Sequence, residues 1–231
     1  DPFWPKPLPN HWLLGQTIGV AVDSREHVWI IHRGPANLVN HEKGLELSPP
    51  TSQHCCKGAP PVLEFDAAGT VVNSWGGSDG PGYTWPGSNH GIAVESDGTV
   101  WIGGNGADDG LVVKFTRDGK FIQQMGTKGI KAADSNNTQH FFKVAKIFVD
   151  EKGNEAYLSD GYGNRRVAVL DRKTGAFKRY WGAYGNKPSD EDLGRYNPTA
   201  PPAQQFRTPV HCAELSNDGK VYVCDRVNNR I

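Results

Sequence analysis

An all-β propeller is the fold class this sequence predicts, and three observations carry it. A unit made of a small residue, an alternating apolar strand, an acidic or polar turn and a second apolar strand recurs down the chain. Each complete copy is followed by two more short strands that meet at Ala-Gly, Asp-Gly or Thr-Gly and leave at Gly. The composition, with 28 Gly, 16 Pro, 7 Trp and one Met in 231 residues, suits turn-rich aromatic β structure rather than helices. Four short strands joined by such turns make one propeller blade.

The first copy, "GVAVDSREHVWIIHR" from Gly19, continues into "PVLEFDAAGTVVNSWG" and predicts a blade near residues 16–76. The second, "GIAVESDGTVWIGGN" from Gly91 with "LVVKFTRDGKFIQQMG", covers about 90–126. The third, "AKIFVDEKGNEAYLSDGYGNRR" from Ala145 with "VAVLDRKTGAFKRYWG", covers 141–182. The fourth, "CAELSNDGKVYVCDRVNNR" from Cys212, fills 207–231 and is incomplete, which gives about three and a half blades in one domain, 1–231. Propellers close with roughly four to eight blades, and an open one exposes sheet edges. The chain is therefore expected to continue past Ile231, the other reading being closure by another chain. The linking segments 34–60, 77–89, 127–140 and 183–206 are rich in Gly, Pro, Asn and Ser and read as loops on one rim, where propellers carry function.

Lys+Arg 25 against Asp+Glu 25 removes the electrostatic case for a nucleic-acid partner. No apolar run approaches the ~18 residues of a membrane span. The opening "DPFWPKPLPN" lacks an initiator Met and reads as a trimmed start, so a secreted or periplasmic protein is expected. Cys212 and Cys224 flank a hairpin centred near Asp218, which sets them near one another on paired strands. A disulfide there and two buried thiols are the alternatives. Cys55 and Cys56 are adjacent, an arrangement in which a mutual bridge is uncommon. With His54 they lack the C-x₂-C spacing of a metal site, so inert loop cysteines or bridges to elsewhere are expected.

Two strand ends, "DGYGNRRV" and "DRVNNRI", match D-x-x-N-x-R-[IV], and on them the repeat resembles the NHL family. Read together, "LGQTIGVAVD…VWIIHRG", "HGIAVESDGTVWI", "YLSDGYGNRRV" and "PVHCAELSNDGKVYVCDRVNNRI" resemble the peptidyl-α-hydroxyglycine α-amidating lyases. These are six-bladed propellers that cleave hydroxyglycine-extended peptides to a peptide amide and glyoxylate. The resemblance covers the inner strands of all four blades but not the inserts. It implies zinc ligands at His90 and His211, with a third beyond Ile231. It also implies an essential tyrosine at Tyr162, active-site arginines at Arg33 and Arg226, and a structural calcium held partly by the backbone carbonyls of Val20 and Ile92. The animal enzymes carry a cysteine where this chain has Gly163, so a disulfide expected there is missing.

The residues support part of this without the resemblance. His90 and His211 each stand at the start of an inner strand, in "NHGIAV" and "PVHCAEL", and inner strands line one axis, so the two converge. Imidazole suits Zn²⁺, and a catalytic zinc takes three protein ligands and keeps one position open. The implied substrate carries a hydroxyl, an amide nitrogen and a carboxylate on one carbon. Its cleavage needs a base for the hydroxyl proton, which a tyrosine beside positive charge provides. An arginine fork is the natural partner for the carboxylate.

Blander readings stand beside these. A loop tyrosine commonly packs on the rim. Arg166, Arg226 and Arg230 belong to the strand signature, where arginines pair with acids between blades, and Asp160 and Asp225 are available. His27, His32, His41, His54 and His140 read as structural or surface. As to function, the alternative is a non-catalytic propeller that binds protein or self-associates outside the cell. A lactonase-like propeller would use acidic and Asn ligands around calcium, which the histidines argue against.

Overall fold

The computed structural model describes residues 1–231 and is built almost entirely of antiparallel sheets. Blade one consists of β2 (Thr17–Val22), β3 (Val28–His32), β5 (Val62–Phe65) and β6 (Val71–Trp75), while β1 (Trp12–Leu13) pairs with β4 (Lys57–Gly58) in the insert. Blade two holds β7 (Asn89–Val94), β8 (Val100–Gly104), β9 (Asp109–Phe115) and β10 (Phe121–Lys128). Blade three is β11 (Val144–Asp150), β12 (Glu155–Asp160), β13 (Arg166–Asp171) and β14 (Phe177–Trp181). A half blade follows, β15 (Val210–Leu215) with β16 (Val221–Asp225). The chain thus forms about three and a half blades of an NHL-type propeller, as its repeats predict. Neither cis peptides nor short 3₁₀ turns in the loops alter that order.

The core lies between blades. Trp29, Ile31 and Val62 of blade one pack on Ile92, Val100 and Leu111 of blade two. Trp101 and Val112 meet Ile147 and Leu158 in the next layer, and Tyr157 and Val167 meet Val210 and Ala213 in the last. Strands covered on both faces carry continuous apolar runs rather than alternation. All seven residues of β9 are buried for that reason.

Polar groups stitch neighbouring blades at the turns. Arg117, after β9, reaches back to both Asp23 and Glu64 of blade one, and Arg172, after β13, reaches Glu95 of blade two. The same carboxylates accept the indole N–H groups of Trp29 (3.1 Å) and Trp101 (2.5 Å). Asp23, His27 and Glu64 lie close enough together to suggest a cation site, but the Arg117 guanidinium already sits between the two acids.

The signature arginines correct the expectation of pairing between blades. Arg166 bonds Asp160 at 2.8 Å and Arg230 bonds Asp225 at 2.8 Å, each within its own blade. The cause is local. Asp160 and Arg166 stand directly opposite on β12 and β13, and Arg230 folds back on Asp225 through a bridge. Each arginine turns its other nitrogens to loop carbonyls: Arg166 takes Ser135, Asn137 and His140, and Arg230 takes Ala203 and Gln205. The signature is therefore a knot that fastens the incoming rim loop to its blade.

Cys212 and Cys224 are paired across β15 and β16, at opposed positions of the ladder. Cys55 is bonded to Cys56, contrary to the expectation for adjacent cysteines, in a turn where the Ser52 hydroxyl accepts from the amides of His54 and Cys55. No cysteine is free. No helix is long and apolar enough to cross a membrane.

Candidate functional site

Each inner strand carries a β-bulge at the same place, just after its first residue. The register shifts fall between Thr17 and Gly19, Asn89 and Ile92, Val144 and Lys146, and Val210 and Cys212. A bulge leaves one residue out of the ladder and re-aims its side chain. In blade two that residue is within His90–Gly91, and in the half blade it is His211. The two imidazoles are turned to a common point, their ring centroids 5.5 Å apart.

Tyr162 meets them there. Its hydroxyl lies 3.2 Å from Nε2 of His90 and 3.2 Å from Nε2 of His211. The Arg226 guanidinium donates to the same oxygen at 3.3 Å and lies over the ring. The tyrosine is set by two tight neighbours in "DGYGN". A Cβ on Gly161 would fall 2.0 Å from the carbonyl oxygen of Val210, the residue before His211. One on Gly163 would fall 2.2 Å from the Phe142 ring, so a cysteine does not fit where the animal enzymes have one. The first contact presses the Tyr162 turn against the half blade, and the second holds it on the incoming loop of its own blade.

Hydrogen bonding settles the His90 tautomer. Nδ1 is 2.6 Å from the carbonyl of Ala145, the bulge residue of the next blade, so Nδ1 carries the proton and the Nε2 lone pair faces Tyr162. Burial lowers the His90 pKa below its ordinary 6.5, and the charges of His211, Arg33 and Arg226 add to this against the Ala145 bond. The His211 pKa is lowered by burial first and then by Arg226 and Lys146. Both rings are thus kept neutral, the form that binds a metal.

Arg33 stands farther back, within the field of His90, and donates to the Gln16 side chain at 3.1 Å. Neither Arg33 nor Arg226 belongs to an ion pair, unlike Arg166 and Arg230. Val20 and Ile92 line the channel in a cavity of about 650 Å³, together with Lys146, Glu214 and Tyr222. Asp23 N bonds His27 O and Glu95 N bonds Thr99 O. Counting back from these along an alternating ladder leaves the carbonyls of Val20 and Ile92 on the free, channel-facing edge. Glu214 is the one carboxylate on the cavity wall, and Lys146 is paired with it.

The low imidazole pKa values give a pH dependence. Unfolded, His32, His90 and His211 bind protons below about 6.5, whereas in the native chain each resists them. The unfolded state then holds more protons, so stability falls as pH drops below that value and is indifferent above it. Melting temperatures of the metal-free protein from about pH 8 to about pH 5 are expected to be flat and then to decline. A curve rising toward acid would contradict the burial of these rings.

No protein-family model matches the chain. Among curated proteins it is similar to NHL repeat-containing protein 3 of Homo sapiens, 29% identical over 238 residues, a match covering 100% of this chain and 54% of that protein. It is also similar to peptidyl-glycine alpha-amidating monooxygenase B of Xenopus laevis, 24% identical over 218 residues (94% of this chain, 22% of that protein). The peptidylglycine alpha-amidating monooxygenase of Rattus norvegicus is 25% identical over 238 residues (96% and 21%). The chain thus spans about half the length of the human relative and about a fifth of the two monooxygenases. The resemblance to NHL repeats and to amidating enzymes is borne out at this distant level.

Sequence reasoning named the four residues that meet, but missed the bulges and the Ala145 carbonyl. A bulge shows in sequence only as one extra residue, and blades of unequal linker length hide it.

Proposed function

We propose that this chain forms part of a zinc-dependent propeller lyase that cleaves the C–N bond of α-hydroxyglycine-type substrates, small or peptidic, releasing an amide and glyoxylate. The observation that carries the reading is the convergence of two imidazole Nε2 atoms and one guanidinium on the Tyr162 oxygen. Relatives that are amidating enzymes support it.

The donor set fits zinc. His90 and His211 offer neutral Nε2 atoms from separate blades, and the Ala145 carbonyl orients one of them. They would hold the ion together with a ligand from a further blade. Bound there, zinc would supply a Lewis acid that makes a substrate hydroxyl more acidic. Tyr162 would take the hydroxyl proton on the oxygen to which Arg226 donates. As that proton leaves, the carbinol carbon becomes an aldehyde, the C–N electron pair goes to nitrogen, and nitrogen takes up a proton to complete the amide. Arg33 and Arg226 would bind the carboxylate. The free carbonyls of Val20 and Ile92 suit a structural Ca²⁺, which takes oxygen ligands. Paired cysteines and the amidating relatives support a secreted or periplasmic setting.

Further blades would cover what is open in this structure. Val20 and Val22 are exposed on β2, and the outer edge of β16 has no strand beside it. Release of glyoxylate from an N-acyl-α-hydroxyglycine, measured with zinc content before and after chelation, tests the proposal. Activity should vanish with the metal and return with Zn²⁺, and His90→Ala and His211→Ala should each lose both. Zinc retained without any release would leave a binding module instead.

A further inference from the structure

The knot that fastens rim loops uses an aspartate and an arginine in blade three and in the half blade. Its acid sits at one fixed rung, where Asp160 faces Val144 and Asp225 faces Val210. In blade one the same rung, opposite Thr17, holds His32. Asp160 accepts from the amide of Phe142 (2.8 Å) and from Asn164, and Asp225 accepts from the amide of Arg207 (3.2 Å) and from Asn228. His32 makes the equivalent set with one ring. Nδ1 accepts from the amides of Gly15 (3.1 Å) and Gly34 (3.0 Å), one before the strand pair and one after it.

Two N–H donors on Nδ1 require its lone pair, so the proton is on Nε2, which donates to the carbonyl of Pro60 at 2.9 Å. The ring thereby accepts as the aspartate does and holds a loop carbonyl as the arginine does. It is fully buried, and the only charged side chain beside it in sequence or across the rung is Arg33. Arg33 is fixed on both sides, by His32 before it and Gly34 after it, and its own amide bonds Gln16 O at 3.0 Å. The His32 carbonyl accepts from Asn89 Nδ2 at 2.8 Å, and Asn89 immediately precedes His90. One rigid span thus runs from Arg33 through His32 and Asn89 to His90.

We propose that His32, as its Nε2–H tautomer, is a positioning residue of the site, standing in for the aspartate–arginine knot and fixing Arg33 relative to His90. The consequence for turnover rests on the lyase reading; the tautomer and its two amide partners do not.

Long-range ¹⁵N–¹H correlation of histidine-labelled protein tests the second part directly. His32 should show an unprotonated Nδ1 and a protonated Nε2, and a proton on Nδ1 would overturn the proposal. His32→Asn keeps an acceptor close to Nδ1, and His32→Ala keeps none. Amide exchange at Gly15 and Gly34 should quicken in the alanine variant and stay slow in the asparagine one. Kinetically, His32→Ala should raise KM by about tenfold, the size of one lost hydrogen bond, with kcat little changed, and His32→Asn should recover most of it. Equal exchange or equal KM in the two variants would overturn the proposal. An alanine variant that does not fold leaves the asparagine variant to decide, since loss of protection at Gly34 in it is fatal to the idea. Should the unmodified protein release no glyoxylate, the lyase reading fails while the spectrum and the exchange still judge His32.

Discussion

Tyr162→Phe is expected to lower glyoxylate release by ~10²–10⁴-fold, the range over which a positioned acid or base contributes, with zinc content unchanged. The phenylalanine fills the same space between Gly161 and Gly163, whose packing on Val210 and Phe142 sets the turn. It removes only the oxygen shared by His90, His211 and Arg226. Fold and metal ligands should therefore survive while the proton acceptor is lost. Measuring kcat and zinc on the same preparation separates the two. Release at the original rate would show that the base is elsewhere, and loss of zinc would show that the phenol oxygen is a ligand.

Asp160→Ala carries the largest expected cost in stability, ~3–5 kcal/mol, because it strands a buried charge. Asp160 and Arg166 are both fully buried, and the carboxylate also holds the amide of Phe142 and the side chain of Asn164. With it gone, Arg166 keeps the carbonyls of Ser135, Asn137 and His140 but has no counter-charge. Urea unfolding of the alanine variant should show the loss, and removing Arg166 as well should recover part of it. A cost below about 1 kcal/mol, the level of a surface pair, would refute the knot.

The repeat was legible because each blade needs the same turn chemistry and the same buried strands, and both leave periodic marks in sequence. Placing His90 and His211 on one axis followed from their equivalent position before an inner strand. The partner of Arg226 was not legible, since the half-blade copy "DRVNNRI" contains two arginines and only geometry shows that Arg230 takes the acid while Arg226 is left for Tyr162. The latches made by Arg117 and Arg172 were missed as well. Their signal is present in hindsight, an acid six residues before Trp29 and Trp101 and an arginine in the third-to-fourth strand turn of the following blade, but the contact joins segments 77 to 94 residues apart. His32 was read only as structural or surface, because a histidine doing the work of an aspartate–arginine pair breaks the motif that would reveal it.

Zinc-edge anomalous diffraction from crystals of the zinc-loaded protein is the most direct test of the account. A single peak bonded to Nε2 of both His90 and His211, next to the Tyr162 hydroxyl, is the result expected. A peak at any other place, or none at the channel mouth with both imidazoles arranged as described, would contradict it.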